Sequence, residues 1–421
     1  MPSPWTARAL AVAAAFVGVG CGRSELDQAY PVSVDVAKDA GSTADAARPT
    51  SPVDAAGHLP DAAKPALVGC AGALRCRNGA GEACGDDGVW VSYTLALCDH
   101  PTSCQSPGTG ISDCGPEQED CCTTIDVPGG DYVRSYDGVS CPGGPNAAPP
   151  PALGCYTSPD HPATVSGFRL DKYLVTVARY RLYLASIRST GWRPPAGSGR
   201  HDHLSFGRGL TDVGVGAPGT FETGWNPAWS TDALIEEPRD DGNTIPNIPI
   251  SVTWSQAYAF CIWDGGFLPS EAEWNYVATG GAEQRVYPWS RPPQDQTVTC
   301  KDAAYTELSN PNACPESAAY WVGAKSPAGD GRWGHADMAG ARSEWTLDWL
   351  RDYVDPCVDC VNLQEPDSAH RTTTTSSHAV RGYSRVGPTA PLGLLTSLRG
   401  DDSYGGVGFR CAREPLEILA L

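Results

Sequence analysis

Clustered positive charge is what this chain most clearly lacks. Its 421 residues carry 30 Lys and Arg against 49 Asp and Glu, a formal net charge of −19. A groove that displaces counterions from nucleic acid needs its basic residues gathered together, so nucleic acid is excluded as a partner. A bilayer-spanning apolar run is also missing: Leu10–Val19 is apolar but too short. No paired CxxC…CxxC occurs, which argues against a zinc ribbon, and no internal repeat is visible. Methionine is nearly absent, at two residues, whereas there are 13 Trp and 47 Gly. That balance points to loops and aromatic clusters.

The N-terminus has the form of an export signal. Arg8 supplies the positive start, Leu10–Val19 the apolar core, and Gly18-Val19-Gly20-Cys21 a processing site. Residues 1–20 are read as a signal peptide and Cys21 as a lipidated N-terminus, which makes the chain an exported, membrane-anchored lipoprotein of the cell envelope. Gly18 stands where such sites usually carry Leu, so an ordinary cleaved signal is the alternative. Small residues before the cysteine favour lipidation. The 17 cysteines support it: without Cys21, eight lie between Cys70 and Cys122 and eight between Cys141 and Cys411. Even numbers in an exported chain suggest disulfides within each half.

Residues 21–68 are rich in Ala, Asp, Pro and Ser, with almost no aromatics. They cannot bury enough apolar surface to offset ordering entropy and are expected to form a flexible tether. Residues 69–122 form a small Cys-rich module that depends on its bridges. The large domain is placed at 123–415. Phe168–Val175 alternates as a strand, Thr176 is an N-cap, and Val177, Tyr180 and Leu184 recur at helical spacing. Residues 190–245 are Gly- and Pro-rich and read as a surface-exposed insertion. Two more helices follow. Ser255 is expected to cap the first, which Gly265-Gly266 terminate; Ser270 and Glu273 form a capping box for the second, with Trp274, Val277 and Ala278 facing the core.

Four patches in fixed order carry a resemblance: Trp254–Gly281, Tyr287–Trp289, Asp337–Trp345 and Gly408–Arg413, with a Leu-Asp-Lys-Tyr segment at Leu170–Tyr173. Together they resemble the formylglycine-generating-enzyme (sulfatase-modifying-factor) family. The resemblance implies an α+β fold that is irregular and strand-poor, related to C-type lectins. It also implies a core disulfide between Cys261 and Cys411. A structural calcium site is implied at Asp337, Gly340, Arg342 and Glu344, where Arg342 could offer only its carbonyl; hard oxygen donors suit that ion.

The family's oxidase chemistry uses two cysteines after an Arg-Gly-Gly-Ser segment, as thiolates that bind copper(I). Here the segment is Arg381-Gly382-Tyr383-Ser384, and Gly387 and Leu392 stand in the cysteine register. No cysteine occurs between Cys360 and Cys411, so copper is not expected. Ser384 is the one candidate catalytic residue retained. Ser343 replaces a pocket Trp, and Arg399–Phe409 is shortened. Two readings follow: a non-catalytic module that binds a protein, peptide or glycan, or a formylglycine-type oxidase with a rearranged site. Fold alone does not decide between them. Three other patterns are set aside. Gly214–Gly219 fits GxGxxG but lacks a preceding strand. Cys357–Cys360 fits CxxC without a thioredoxin-like βαβ unit. His201-Asp202-His203 could ligate a metal but reads as an exposed polar loop. Cys300 with Cys314, and Cys357 with Cys360, are local disulfide candidates.

Overall fold

The structure is a computed structural model. It describes residues 114–136, 159–214, 220–230, 232–236, 245–304, 321–365, 377–382 and 406–415, and the backbone of 74–77, 80–84, 90–93, 306–307 and 385–386. Cys21, the tether and Ser384 lie outside the described residues, as do Gly387 and Leu392.

Among the described residues, short strands and three α-helices make the fold. Strands β1 (Leu74–Arg77), β2 (Ala80–Cys84) and β3 (Trp90–Tyr93) form an antiparallel meander. In the large domain, β4 (Thr124–Val127), β5 (Gly130–Val133), β6 (Pro162–Val165) and β7 (Phe168–Asp171) precede helix α1 (Val177–Thr190). Next come β8 (Thr211–Asp212), β9 (Thr220–Phe221), helix α2 (Trp254–Trp263), helix α3 (Glu271–Thr279) and β10 (Thr306–Glu307). The chain closes with β11 (Glu344–Trp349), β12 (Cys357–Val358), β13 (Cys360–Val361), β14 (His378–Arg381), β15 (Arg385–Val386) and β16 (Ala412–Arg413). They pair as four small sheets, β16–β7–β4, β12–β6–β5, β13–β8–β9 and β11–β14, and a parallel β10–β15 pair. Among the described residues no sheet exceeds three strands, so the core is held by side chains more than by a continuous ladder.

The helices start where local chemistry dictates. The Thr176 hydroxyl accepts from Arg179 N, and Gly191, at φ +70°, ends α1. Ser270 and Glu273 exchange side-chain and backbone hydrogen bonds at the start of α3. Helix α2 differs from its sequence reading. Thr253, not Ser255, is the cap, because Thr253 N donates to the Gln256 side chain at 3.0 Å while Gln256 N donates to the Thr253 hydroxyl. This reciprocal box satisfies two orphan amides and starts the helix two residues earlier.

The Cys261–Cys411 disulfide is present and ties α2 to the segment entering β16, with 5.4 Å between Cα atoms. Beside it lies a buried charge lattice. Arg179 reaches Asp171 at 3.0 Å and Asp264 at 2.6 Å, and Arg413 pairs with the same two carboxylates. It joins β7, α1, the end of α2 and β16. Asp171, Asp264 and Cys411 also form a compact group of metal-ligand type, but the two guanidiniums neutralise the acids and the thiol is bridged.

Two boundaries from sequence shift. Cys114, Cys121 and Cys122 are buried against Tyr173 and Val322, so the Thr123 boundary falls inside the packed unit. Residues 190–245 are not simply a surface insertion, since Leu204, Leu210, Trp225 and Leu234 join the main core. Glycines make this possible. Gly199, at φ +76°, lets the chain press against Tyr258 and Ile262, where a Cβ would lie 2.6 Å from the Ile262 side chain.

Candidate functional site

Strand β14 delivers Arg381 and Gly382, the start of the motif that leads to Ser384. Arg381 is fully buried. Its Nε lies 3.1 Å from Glu271 at the start of α3, and its Nη2 donates to Tyr353 Oη at 2.6 Å and Ser135 Oγ at 2.9 Å. Gly382 has φ +76°, and a Cβ there would meet the Trp274 ring at 3.0 Å and the Met338 carbonyl at 3.1 Å. The motif is therefore threaded through a gap that admits only glycine.

A small cleft, partly open to solvent and with room for about one water, adjoins this point. Arg134 and Arg351 line it with Glu271, Asp348, Tyr353 and Cys360. The Arg134 guanidinium stacks 4.2 Å over the Tyr353 ring and donates to Asp355 Oδ1 at 2.7 Å. Ser343 is half-buried, and its carbonyl accepts from Gly408 N.

The expected calcium ligands lie on one turn before and into β11. Asp337 and Ala341 have positive φ, +55° and +54°, and Gly340 has +90°. Asp337 is buried, and burial pushes its carboxyl up to about 6; the Gly323 N–H and Arg410 oppose the shift, while Asp330 and Glu344 reinforce it. A hard cation fits that carboxylate, which accepts from Gly323 N, together with turn carbonyls. Glu344 fits less well than its sequence position implies. Arg410 grips both its oxygens, Nε to Oε2 at 2.6 Å and Nη2 to Oε1 at 2.7 Å, and Trp274 Nε1 donates to Oε2. The Gly408–Arg413 segment places a guanidinium where the sequence suggested a free ligand. Of the two expected carboxylates, Asp337 alone keeps unneutralised charge.

His201 corrects its sequence reading. It is fully buried, not in an exposed loop. Its Nδ1 lies 3.0 Å from Glu222 Oε2 and its Nε2 lies 3.0 Å from Glu273 Oε2. Burial alone would lower its pKa, but the two carboxylates win and raise it to about 10. Glu273, also the capping-box residue of α3, is held below the usual carboxylate range, its burial outweighed by the His201 charge and hydrogen bond. His203 stacks on Phe267 and is lowered by burial. The clue available in sequence was Glu273 itself, an acid inside an apolar helix that needs a counter-charge.

His378 was also missed. It is sandwiched between Trp254 at 3.8 Å and Trp349 at 4.1 Å, and burial lowers it to about 3.

The cysteines are committed. Cys114–Cys121, Cys261–Cys411 and Cys357–Cys360 are bridged, and Cys122 and Cys300 are also in disulfides.

A formylglycine-generating enzyme of Streptomyces coelicolor is 28% identical over 274 residues, covering 61% of this chain and 81% of that protein. An inactive C-alpha-formylglycine-generating enzyme 2 of Bos taurus is 27% identical over 163 residues, covering 39% of this chain and 49% of that protein. Among solved structures, PvdO from Pseudomonas aeruginosa aligns with a TM-score of 0.42 at 18% identity, over 74% of this chain and 99% of that one. The model of the sulfatase-modifying factor enzyme 1-like domain matches residues 112–415, which cover both the Arg381 site and the Asp337 turn, and the chain belongs to that family.

Proposed function

We propose that this chain is an exported lipoprotein whose sulfatase-modifying-factor-like domain acts as a binding module and does not form formylglycine. The carrying observation is the thiol inventory. No cysteine lies between Cys360 and Cys411, and every cysteine from Cys114 onward whose side chain is described is in a disulfide. Copper(I) needs soft thiolate ligands, and formylglycine chemistry needs a thiol that can exchange with the substrate cysteine. Gly387 and Leu392 offer neither. The similarity to an inactive relative is compatible with this reading. The ligand would be a protein, peptide or glycan. The test is mass spectrometry of a Cys-containing sulfatase peptide after incubation with copper-loaded protein. No aldehyde is expected; copper-dependent aldehyde formation would restore the oxidase reading.

Anchorage follows from Cys21. Membrane partitioning is expected for the wild type and not for Cys21→Ala. Equal release of both as soluble protein would remove the anchor from the proposal.

Calcium is proposed at Asp337, with a pH signature. The folded carboxyl titrates near 6, above the unfolded 3.8. The native state therefore binds the proton more tightly, and stability falls as pH rises from 3.8 to 6, by about 3 kcal/mol in all. At pH 7.5 the ionised, buried Asp337 should gain most from a cation; at pH 5 it should gain little. Calcium is expected to raise Tm at pH 7.5 through mass action, far less at pH 5, and not in Asp337→Asn. An equal calcium response in that variant would place any ion elsewhere.

A further inference from the structure

The turn after His201 points an aromatic ring into water. Leu204 and Leu210 are buried in the main core, and between them Phe206 is 102% exposed. Ser205 and Phe206 both lie in the left-handed region, at φ +50° and +59°. A bulky residue is rare there, because its Cβ crowds the following carbonyl. The base of the turn is fixed. The Leu204 carbonyl accepts from Gly207 N at 2.9 Å and from Gly209 N at 3.3 Å. Glu222 Oε2 accepts from His201 N and Leu210 N, each at 3.1 Å. The tip is thus held in a backbone conformation that Phe disfavours, with its side chain wholly in solvent. Such outliers gather at sites that bind.

A guanidinium is pinned beside the ring. Arg208 Nε donates to the Ser205 carbonyl at 3.0 Å, and Cζ stacks 4.0 Å over the half-buried Phe221. Its Nη atoms make no hydrogen bond or ion pair among the described residues. The exposed carboxylate of the same turn, Asp202, is taken by Arg200 at 2.8 Å. A free apolar ring and an uncompensated cation therefore stand two residues apart on a preorganised turn, and little side-chain order is left to lose on binding.

We propose that Phe206 and Arg208 form a contact site for the interface of a phospholipid bilayer. The ring enters among the upper acyl chains, and the Arg208 fork meets lipid phosphate. A projecting ring needs no shaped pocket in its partner, and a bilayer offers apolar depth wherever it touches. The free Nη fork matches phosphate geometry. Arg208, drawn back onto Phe221, lies behind the wholly exposed ring, and phosphates likewise lie above acyl chains. The choice of a bilayer rests on the membrane-anchored reading of Cys21, which puts that surface within reach. One ring and one cation are a marginal anchor by themselves. The net charge of −19 also opposes broad adsorption on an anionic leaflet, and screening over about 8 Å confines the attraction to the tip. The turn therefore orients a chain that the lipid holds, by setting which face the domain turns to the membrane.

The test replaces the lipid with an N-terminal hexahistidine tag on a Cys21→Ala chain. The tag holds the chain on vesicles of phosphatidylcholine and phosphatidylglycerol that contain nickel-chelating lipid, so failure of lipidation at Cys21 cannot pass for failure of the turn. Hydrogen exchange is read by mass spectrometry. The Phe206 and Arg208 amides have no backbone acceptor among the described residues and should exchange fast in buffer. On vesicles the peptide spanning 204–208 should exchange at least about tenfold more slowly, while the exposed end of α1 at 188–190 should not change. Phe206→Ser should abolish the slowing although the tag keeps the chain on the vesicles, and Arg208→Glu should weaken it. An unchanged rate at 204–208 on vesicles would overturn the proposal. So would slowing that survives Phe206→Ser, or equal slowing at 188–190, since either would come from crowding at the surface and not from insertion of the ring.

Discussion

Glu344→Gln is expected to cost the domain about 3–5 kcal/mol, because it leaves a buried guanidinium without its counter-charge. Glu344 and Arg410 are both fully excluded from solvent, and the guanidinium meets the carboxylate as a fork, at 2.6 and 2.7 Å. Arg410's remaining donors go to the carbonyls of Asp171, Lys172 and Ala336. It thus stitches β7, the turn before Asp337 and β11 together, and cannot swing out to water. Glutamine keeps the volume and one acceptor but not the charge, and the Trp274 indole N–H competes for that acceptor. A urea titration should show a lower midpoint with an unchanged slope. The double variant Glu344→Leu/Arg410→Met should recover much of the loss, since a buried pair often breaks even against apolar replacements. A loss under about 1 kcal/mol in Glu344→Gln would mean that the pair is solvated in solution.

How much of this was legible depends on sequence distance. The caps of α1 and α3 could be read because donor and acceptor are three residues apart, as with Thr176 and Arg179 or Ser270 and Glu273. Even at that range α2 was misplaced by two residues, because two hydroxyl residues compete and the reciprocal bond to Gln256 decides. The Cys261–Cys411 bridge spans 150 residues, and only the family resemblance brought it into view. The Cys357–Cys360 bridge, three residues apart, could be read from sequence distance, but long-range pairings outside the resemblance stayed hidden. Arg410 and Glu344 are 66 residues apart, so each motif looked intact while the meaning of Glu344 changed from ligand to counter-ion. The Gly-rich stretch after α1 lacks periodicity, which made it look like a surface insertion. Its buried residues are spaced by turns rather than by a helix or strand repeat, so no pattern announces them.

His201 belongs to that stretch, and it gives the fold a strong dependence on alkaline pH. Its partners lie 21 and 72 residues away, Glu222 beyond β8 and β9 and Glu273 on α3. The folded imidazole titrates near 10 against an unfolded 6.5. The sign follows from the proton count: between those values the native state holds a proton that the unfolded chain releases, so stability is complete below pH 6.5 and is lost as pH rises towards 10. Several kcal/mol should disappear across that window, as a lowered Tm in alkaline buffer. His201→Phe preserves an aromatic ring against Phe267, now 3.8 Å from the imidazole, but leaves two buried carboxylates without a cation. It should cost about 3–5 kcal/mol at pH 6, and its stability should no longer fall between pH 6.5 and 10 through this group. Adding Glu222→Gln to His201→Phe should restore part of the loss by removing one stranded charge. If the wild type and His201→Phe decline in parallel from pH 6.5 to 10, the imidazolium is not the charge that holds Glu222 and Glu273 together.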